Sequence, residues 1–229
     1  MAEFTTPQFW VAVVTIIFVN IVLSGDNAIV IALACRNLSR RQRRHGIFWG
    51  VFGAIILRIV LTFFVMSLLV YPWLKVAGAM LLLWIGVRLI GEDAGKQRQV
   101  NASDQLLAAV GTILVADLVM SLDNVMAVAA AAKGDVRLIV LGLGISIPIV
   151  IVGSQIIMPL IERFPVLVYA GGGLLGYIAG GMAIEDPVSA PWIAAHASAL
   201  EPSMPIFGFA IVVVGGFLLT RRRKRTNPH

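Results

Sequence analysis

Two apolar stretches of the chain carry the same four polar positions, ninety-seven residues apart. Each has Asn or Asp, then Ser four residues later, then Asp-Asn. The matched pairs are Asn20 and Asp117, Ser24 and Ser121, Asp26 and Asp123, and Asn27 and Asn124. Their carboxylate, amide and hydroxyl oxygens suit hard divalent cations such as Mn²⁺, Ca²⁺ and Mg²⁺, whereas Zn²⁺ and Cu⁺ favour His and Cys ligands, which we do not find in the middle of any apolar stretch. The eight residues are therefore candidate metal ligands.

The carboxylates of Asp26, Asp117 and Asp123 share one candidate counter-ion within the apolar stretches, Arg58. A carboxylate at the bilayer centre costs about 2.5–3.5 kcal/mol on insertion scales. Because three of them would be costly without a bound partner, we interpret them as functional residues. Together with Arg58 they leave two negative charges, which a divalent cation would neutralise, and we expect protons to replace the cation when it leaves. Two alternatives stay open: the aspartates pair with Arg58, Ser and Asn as contacts between helices, or they are protonated and neutral.

The composition assigns the chain to the membrane. Of its 229 residues, 59% are hydrophobic and 13% are charged, whereas a soluble domain is nearer half and a quarter. Apolar runs of about 20 residues can cross a bilayer as helices, and they predict an all-α protein with seven transmembrane spans. Hairpins are expected at 71–72 and 133–135, and Asn101 or Ser103 is expected to cap the fourth helix. The spans lie near 8–34, 46–70, 72–90, 105–132, 138–158, 164–184 and 204–220.

The basic residues predict the orientation. If the N-terminus lies outside, 14 of the 18 Lys and Arg residues fall in inner segments, as the positive-inside rule requires. We therefore expect a multi-pass protein with its N-terminus outside and its C-terminus in the cytoplasm. The basic run at 221–225 is interpreted as the flank of the last span, and nucleic acid is not expected as a partner.

The two polar motifs fall in spans one and four, so the two halves enter the membrane from opposite sides. This predicts two inverted-topology three-helix repeats plus a C-terminal helix, with the site between the repeats near the midplane. The whole chain, 1–229, is then one transmembrane domain. Its parts are the first repeat at 8–90, the second repeat at 105–184, an outer loop at 185–203, the seventh helix at 204–220 and a basic cytoplasmic tail at 221–229.

The segments "SGDNAIVIALACRNL", "DLVMSLDNVMAVAAAA" and "SIPIVIVGSQIIMPLIERFPVLVYAGGGLLGYIAG" resemble the TerC family of integral membrane proteins. More narrowly, they resemble its seven-span bacterial members regarded as manganese exporters, which are related to the lysine exporters. The resemblance covers roughly residues 8 to 184. It implies export of Mn²⁺ across the bacterial inner membrane, or its delivery to secreted metalloenzymes. It also implies an acidic site at Asp26, Asn27, Asp123 and Asn124, with Asn20 and Asp117 as partners.

Other functions remain as alternatives. The chain could export a cationic organic solute such as a basic amino acid, or act as a membrane assembly partner without transport. No catalytic triad, Cys-His pair or nucleotide motif is visible, so we do not expect an enzyme. The expected partners are the divalent cation, the lipid bilayer and, as an open alternative, further copies of the chain.

Two further patterns have structural interpretations. Glycines at every fourth position, Gly172, Gly176 and Gly180, predict close helix packing. Acidic residues and a histidine in the outer loop could collect metal, but such a loop is more often a connector between helices. They are Glu185, Asp186, His196 and Glu201.

Overall fold

The computed structural model describes the backbone of residues 11, 14, 26–68, 71–91, 101–131 and 136–226. The side chains at 62–63, 65–68, 123–131, 136–143, 145–146 and 223–226 are outside the description. In the described part the regular structure is helical. The helices are α1 (Asp26–Cys35), α2 (Arg40–Leu68), α3 (Leu74–Gly91), α4 (Ala102–Ala131), α5 (Val136–Arg163), α6 (Val166–Ile184), α7 (Ser189–His196) and α8 (Met204–Thr226), with a 3₁₀ segment at Ser198–Ser203 between the last two.

Helix α2 begins six residues earlier than the predicted span, which was placed from residue 46. This start carries one arm of a capping box in "SRRQ". The Gln42 side-chain oxygen accepts a hydrogen bond from the Ser39 backbone N–H at 3.4 Å and another from the Ser39 hydroxyl at 2.7 Å. The first of these satisfies the backbone amide of the capping residue. Hydropathy does not detect this start because the first turn of α2 is basic.

Other predicted boundaries also shift. Helix α4 begins at Ala102, so Asn101, and not Ser103, occupies the capping position. Helix α5 runs to Arg163 with Pro159 inside it, although the span was predicted to end at residue 158. Proline is tolerated in membrane helices because neighbouring groups satisfy the freed backbone. At the hairpin predicted for 71–72 the structure describes a turn at 71–73 before α3, and the hairpin predicted for 133–135 lies outside the described residues.

Five described helical segments are long and apolar enough to cross a bilayer. Only 22–44% of the residues in their apolar windows are buried inside the protein, so most of this apolar surface faces outward, where lipid would cover it. Helix α5 has 28 residues, or about 42 Å at 1.5 Å per residue, which is also enough to span. The chain is thus a multi-pass helical membrane protein. The five segments are Arg40–Leu61, Leu74–Gly91, Ala102–Leu122, Val166–Ile184 and Ser198–Arg222.

The helices form two groups. Helices α3, α6 and α8 pack against one another, and α2 packs against α4 and α5. The predicted small-residue packing of α6 is confirmed, since a Cβ atom added at Gly176 would overlap the Gly208 carbonyl of α8 and one at Gly180 would overlap the Met204 carbonyl. Along the same glycine stripe, a Cβ at Gly172 would lie 2.5 Å from an Ile90 side-chain carbon of α3. Helix α6 is therefore held between α3 and α8 at backbone contact.

Candidate functional site

A cavity of about 30 Å³ lies between α1, α2, α4 and α5. That space suits a few water-sized ligands. Each helix presents residues spaced by three or four positions, which places them on a single face. The wall is mostly aliphatic and carries polar groups from three residues, Asn27, Arg58 and Asp117. The other lining residues are Val30, Ile31, Val51, Ala54, Ile55, Ile113, Met120, Ile147 and Val150.

Arg58 and Asp117 form a buried ion pair across α2 and α4. Arg58 Nη2 lies 2.6 Å from Asp117 Oδ1, and each side chain is only 7% exposed. Ser121 completes the network: its hydroxyl accepts from Arg58 Nε at 3.0 Å and donates to Asp117 Oδ2 at 3.1 Å. Removing one partner of such a pair costs about 3–5 kcal/mol because the other charge stays buried. Arg58 therefore does not extend to the membrane surface, and Asp117 carries a compensated charge.

Asn27 lines the cavity and carries a buried amide oxygen. The residue is 5% exposed, and its Oδ1 has no hydrogen-bond partner among the described residues. An amide oxygen buried in this way costs about 1–3 kcal/mol unless something binds it. Asp26 is only partly buried and does not line the cavity. This fits its position next to Asn27 in the chain, off the face of α1 that Asn27, Val30 and Ile31 present to the cavity. Its Oδ1 accepts from the Asn27 backbone N–H at 2.8 Å, and its charge interacts with those of Arg58 and Asp117.

The structure brings together four of the predicted site residues, Asn27, Arg58, Asp117 and Ser121, with Asp26 beside them. Asn20 and Ser24 lie outside the described residues. Asp123 and Asn124 belong to α4, but their side chains lie outside the description. Among the groups that are described, no set of three or more His, Cys, Asp or Glu residues is arranged to hold a metal ion. The described half of the predicted site is thus an ion pair, a serine and an amide.

Asp186 has a role that the sequence did not reveal. It has no exposed surface, and its carboxylate accepts backbone hydrogen bonds from Trp73, Lys75 and Val76 at the start of α3 and from Val188 in its own loop. Burial on its own would raise the pKa of Asp186, but these four donors outweigh it and hold the pKa below its ordinary value. Beside it, Glu185 pairs with Lys75 at 3.1 Å. Both acidic residues therefore join the outer loop to α3, so a metal-collecting role has little support.

Comparison with known proteins identifies the family of the chain. The family model of the integral membrane protein TerC family matches residues 5–227. The chain belongs to the TerC family. Its relatives include the uncharacterized membrane protein YjbE of Bacillus subtilis (strain 168), which is 40% identical over 90% of this chain and 94% of its own length. Another is YceF of the same organism, at 27% identity over 94% of this chain and 82% of its own.

A third TerC-type relative is the UPF0053 inner membrane protein YgdQ of Escherichia coli (strain K12). It is 25% identical over 72% of this chain and 76% of its own length. No solved structure matches the chain. The predicted family membership is confirmed, and the relatives' names support an integral membrane location without naming a cargo.

Proposed function

We propose that the chain exports a divalent metal cation from a bacterial cytoplasm across the inner membrane, with Mn²⁺ as the first candidate and Ca²⁺ or Mg²⁺ as alternatives. The observation that carries the proposal is a cavity lined by Asn27, whose amide oxygen has no partner among the described residues, and by Arg58 and Asp117, which Ser121 joins in a buried network. Oxygen ligands of this kind suit a hard cation. The family membership and the inner membrane name of one relative fit a transporter in this location.

Charge balance assigns different roles to the three aspartates. Arg58 compensates Asp117 in the described conformation. The charges of Asp26 and Asp123, when both are ionised, would then match one divalent cation. Protons on the same carboxylates would replace the cation after its release, so export would run in exchange for protons. Arg58 is the fixed counter-ion that keeps the site from collapsing when no cation is bound.

The contacts between helices fit an inverted repeat. If a two-fold axis in the membrane plane exchanges α1 with α4, α2 with α5 and α3 with α6, each contact should have a counterpart. Helix α2 meets α4 at Gly50 and Ile113, and its counterpart is the approach of Gly153 on α5 to Ala28 on α1. The α3–α4 contact has an equivalent in α6–α1. Under this symmetry Asn20 and Asn124, the counterparts of the lining residues Asp117 and Asn27, would face the cavity. Ser24 and Asp123 would lie beside it, as Ser121 and Asp26 do.

The size of the cavity favours an ion over an organic cargo. The space inside it, about 30 Å³, is enough for an ion with one or two waters. A basic amino acid would need a larger pocket lined by further polar or aromatic groups. The described lining residues are mostly aliphatic.

The test is a survey of divalent ions on the purified full-length protein, by calorimetric binding and by flux into liposomes. Asp26→Asn and Asp123→Asn should each weaken Mn²⁺ binding at least about tenfold, equivalent to about 1.4 kcal/mol. Asp104→Asn is the control, because this carboxylate is exposed in the first turn of α4. It should bind and transport as the wild type does.

Three outcomes would contradict the proposal in different ways. Flux that ignores a pH gradient would reject proton exchange. Uptake of lysine in place of metal would favour the organic-solute alternative. Cells that keep full manganese tolerance with both the Asp26→Asn and Asp123→Asn substitutions would favour an assembly partner that does not transport.

A further inference from the structure

Polar contacts join the cavity helices at one end, the arginine-rich end. This end is defined by Arg36, Arg40, Arg41, Arg43, Arg44 and Arg163. Arg43, in the first turn of α2, pairs with Glu162 in the last turn of α5, with 2.6 Å between Nη1 and Oε1. Arg43 Nη2 also donates to the Arg36 carbonyl, in the turn after α1, at 2.9 Å. Gln42 donates to the Ala102 carbonyl at the start of α4. Two adjacent residues of α2 thus connect all four helices that surround the cavity.

Between these contacts and the cavity the bundle is packed with apolar side chains. Along α2, Arg43 and Arg58 are fifteen residues apart, or about 22 Å at 1.5 Å per residue. Each of the four helices fills this interval with side chains that are at most 6% exposed. These residues, the apolar plug, are Leu33, Cys35, Ile47, Ala109, Met158 and Ile161. The described conformation is therefore closed between the cavity and the arginine-rich end.

We propose that the Arg43–Glu162 pair, with the apolar plug behind it, is the gate that controls access to the cavity from the arginine-rich end. The inference rests on the proposed function, since it assigns a gate to the path of the exported cation. Arg43 and Glu162 have side-chain exposures of 22% and 54%, and ion pairs at such exposed positions contribute little to stability. The pair can thus break and re-form easily, while the plug supplies the seal. It also gives a role to Glu162 in the "IERFP" segment, which the cation site does not use.

The chain provides its own reporter of gate opening. Its single cysteine, Cys35, belongs to the apolar plug and has no exposed surface. A maleimide should therefore label the folded wild-type protein slowly. Glu162→Gln and Arg43→Gln should each speed the labelling of Cys35 by about two- to fivefold, the population change that a partly exposed ion pair allows. The reversed pair, Arg43→Glu with Glu162→Arg, should label more slowly than Arg43→Gln.

A matched control breaks an ion pair at the opposite end of the bundle. Lys75→Gln removes the Lys75–Glu185 pair and should leave the labelling of Cys35 unchanged. Size-exclusion profiles and melting temperatures, measured on all variants, ensure that labelling reports on folded protein. Unchanged labelling in both Arg43→Gln and Glu162→Gln would overturn the gate, as would equal acceleration in Lys75→Gln.

The gate proposal and the cation proposal can be rejected independently of each other. If the wild type binds no divalent cation while the two gate variants still expose Cys35, the cation proposal fails and the gate remains. If binding and flux of Mn²⁺ are intact while the gate variants change neither labelling nor flux, the gate fails and the cation proposal remains.

Discussion

At the scale of single residues, buried polar groups decide what the protein can hold and how its ends are joined. Asp117 and Asp186 are both buried aspartates with every carboxylate oxygen engaged, yet their partners differ. Asp117 is compensated by a charge and a hydroxyl inside the helix bundle. Asp186, in the outer loop, is compensated by backbone N–H groups, three of them at the start of α3, so it acts as a cap for that helix. The same residue type therefore serves a candidate ion site in one place and a helix start in the other.

The cap predicts a pH-dependent contribution to stability. Trp73 has a positive φ of 68°, which is costly for a residue with a side chain, and its N–H donates to Asp186. Replacing Asp186 with Asn should lower the free energy of unfolding by about 1–3 kcal/mol, the usual worth of hydrogen bonds to a charged group. Because folding lowers the pKa of Asp186, its contribution is present above the ordinary carboxyl pKa and is lost as the pH falls through the lower folded value.

Thermal unfolding of the wild type and Asp186→Asn in detergent, from pH 7 down to pH 3, checks this prediction. The two melting temperatures should differ at pH 7 and converge towards the acid end of the series. Glu201→Gln is the control, because Glu201 is exposed in the same outer loop. A constant difference across the whole pH range would show that the carboxylate charge plays no part in the cap.

At the scale of elements, the close contact between α6 and α8 makes a prediction with an internal control. Gly176 faces the backbone of Gly208, where an added Cβ would overlap the carbonyl, whereas a Cβ at Gly181 on the same helix meets nothing within 4 Å. Gly176→Ala should lower the free energy of unfolding by about 1–3 kcal/mol, because the added methyl group overpacks the contact. Gly181→Ala should be neutral or stabilising by up to about 1 kcal/mol, because Ala favours the helix. Comparison of their melting temperatures checks the packing, and equal effects would contradict it.

The sequence predicts the helix positions that hydropathy determines, and it misses the helix starts and pairings that polar contacts determine. The apolar runs locate α3 and α6 closely, since lipid and core both select the same residues there. The start of α2 was missed because its first turn is basic and is fixed by Ser39 and Gln42. The pairing of Arg58 with Asp117 was open as one alternative, but spacing within one helix cannot say which residue of another helix it meets. Asp186 was missed because its donors lie more than a hundred residues away in the chain.

At the scale of the whole molecule, the two groups of helices separate support from the candidate site. Helices α3, α6 and α8 contact one another at glycine backbones, while the cavity lies among α1, α2, α4 and α5. Ties between the groups include the packing of Gly78 against Val119 and the hydrogen bond from Arg36 to the Leu89 carbonyl at 2.8 Å. The candidate site thus lies within one group of helices, and the other group packs beside it.

The orientation of the whole molecule can be tested at the two ends of α8. The apolar window Ser198–Arg222 is a single candidate span, so the outer loop at 185–203 and the basic tail at 221–229 should lie on opposite sides of the membrane. The positive-inside rule predicts that the tail is cytoplasmic. A fluorescent reporter fused after residue 229 should therefore be active in the cytoplasm, and a cysteine placed at Glu201 in intact cells should react with an impermeant maleimide. Labelling of that cysteine only after the cells are broken would contradict the predicted orientation.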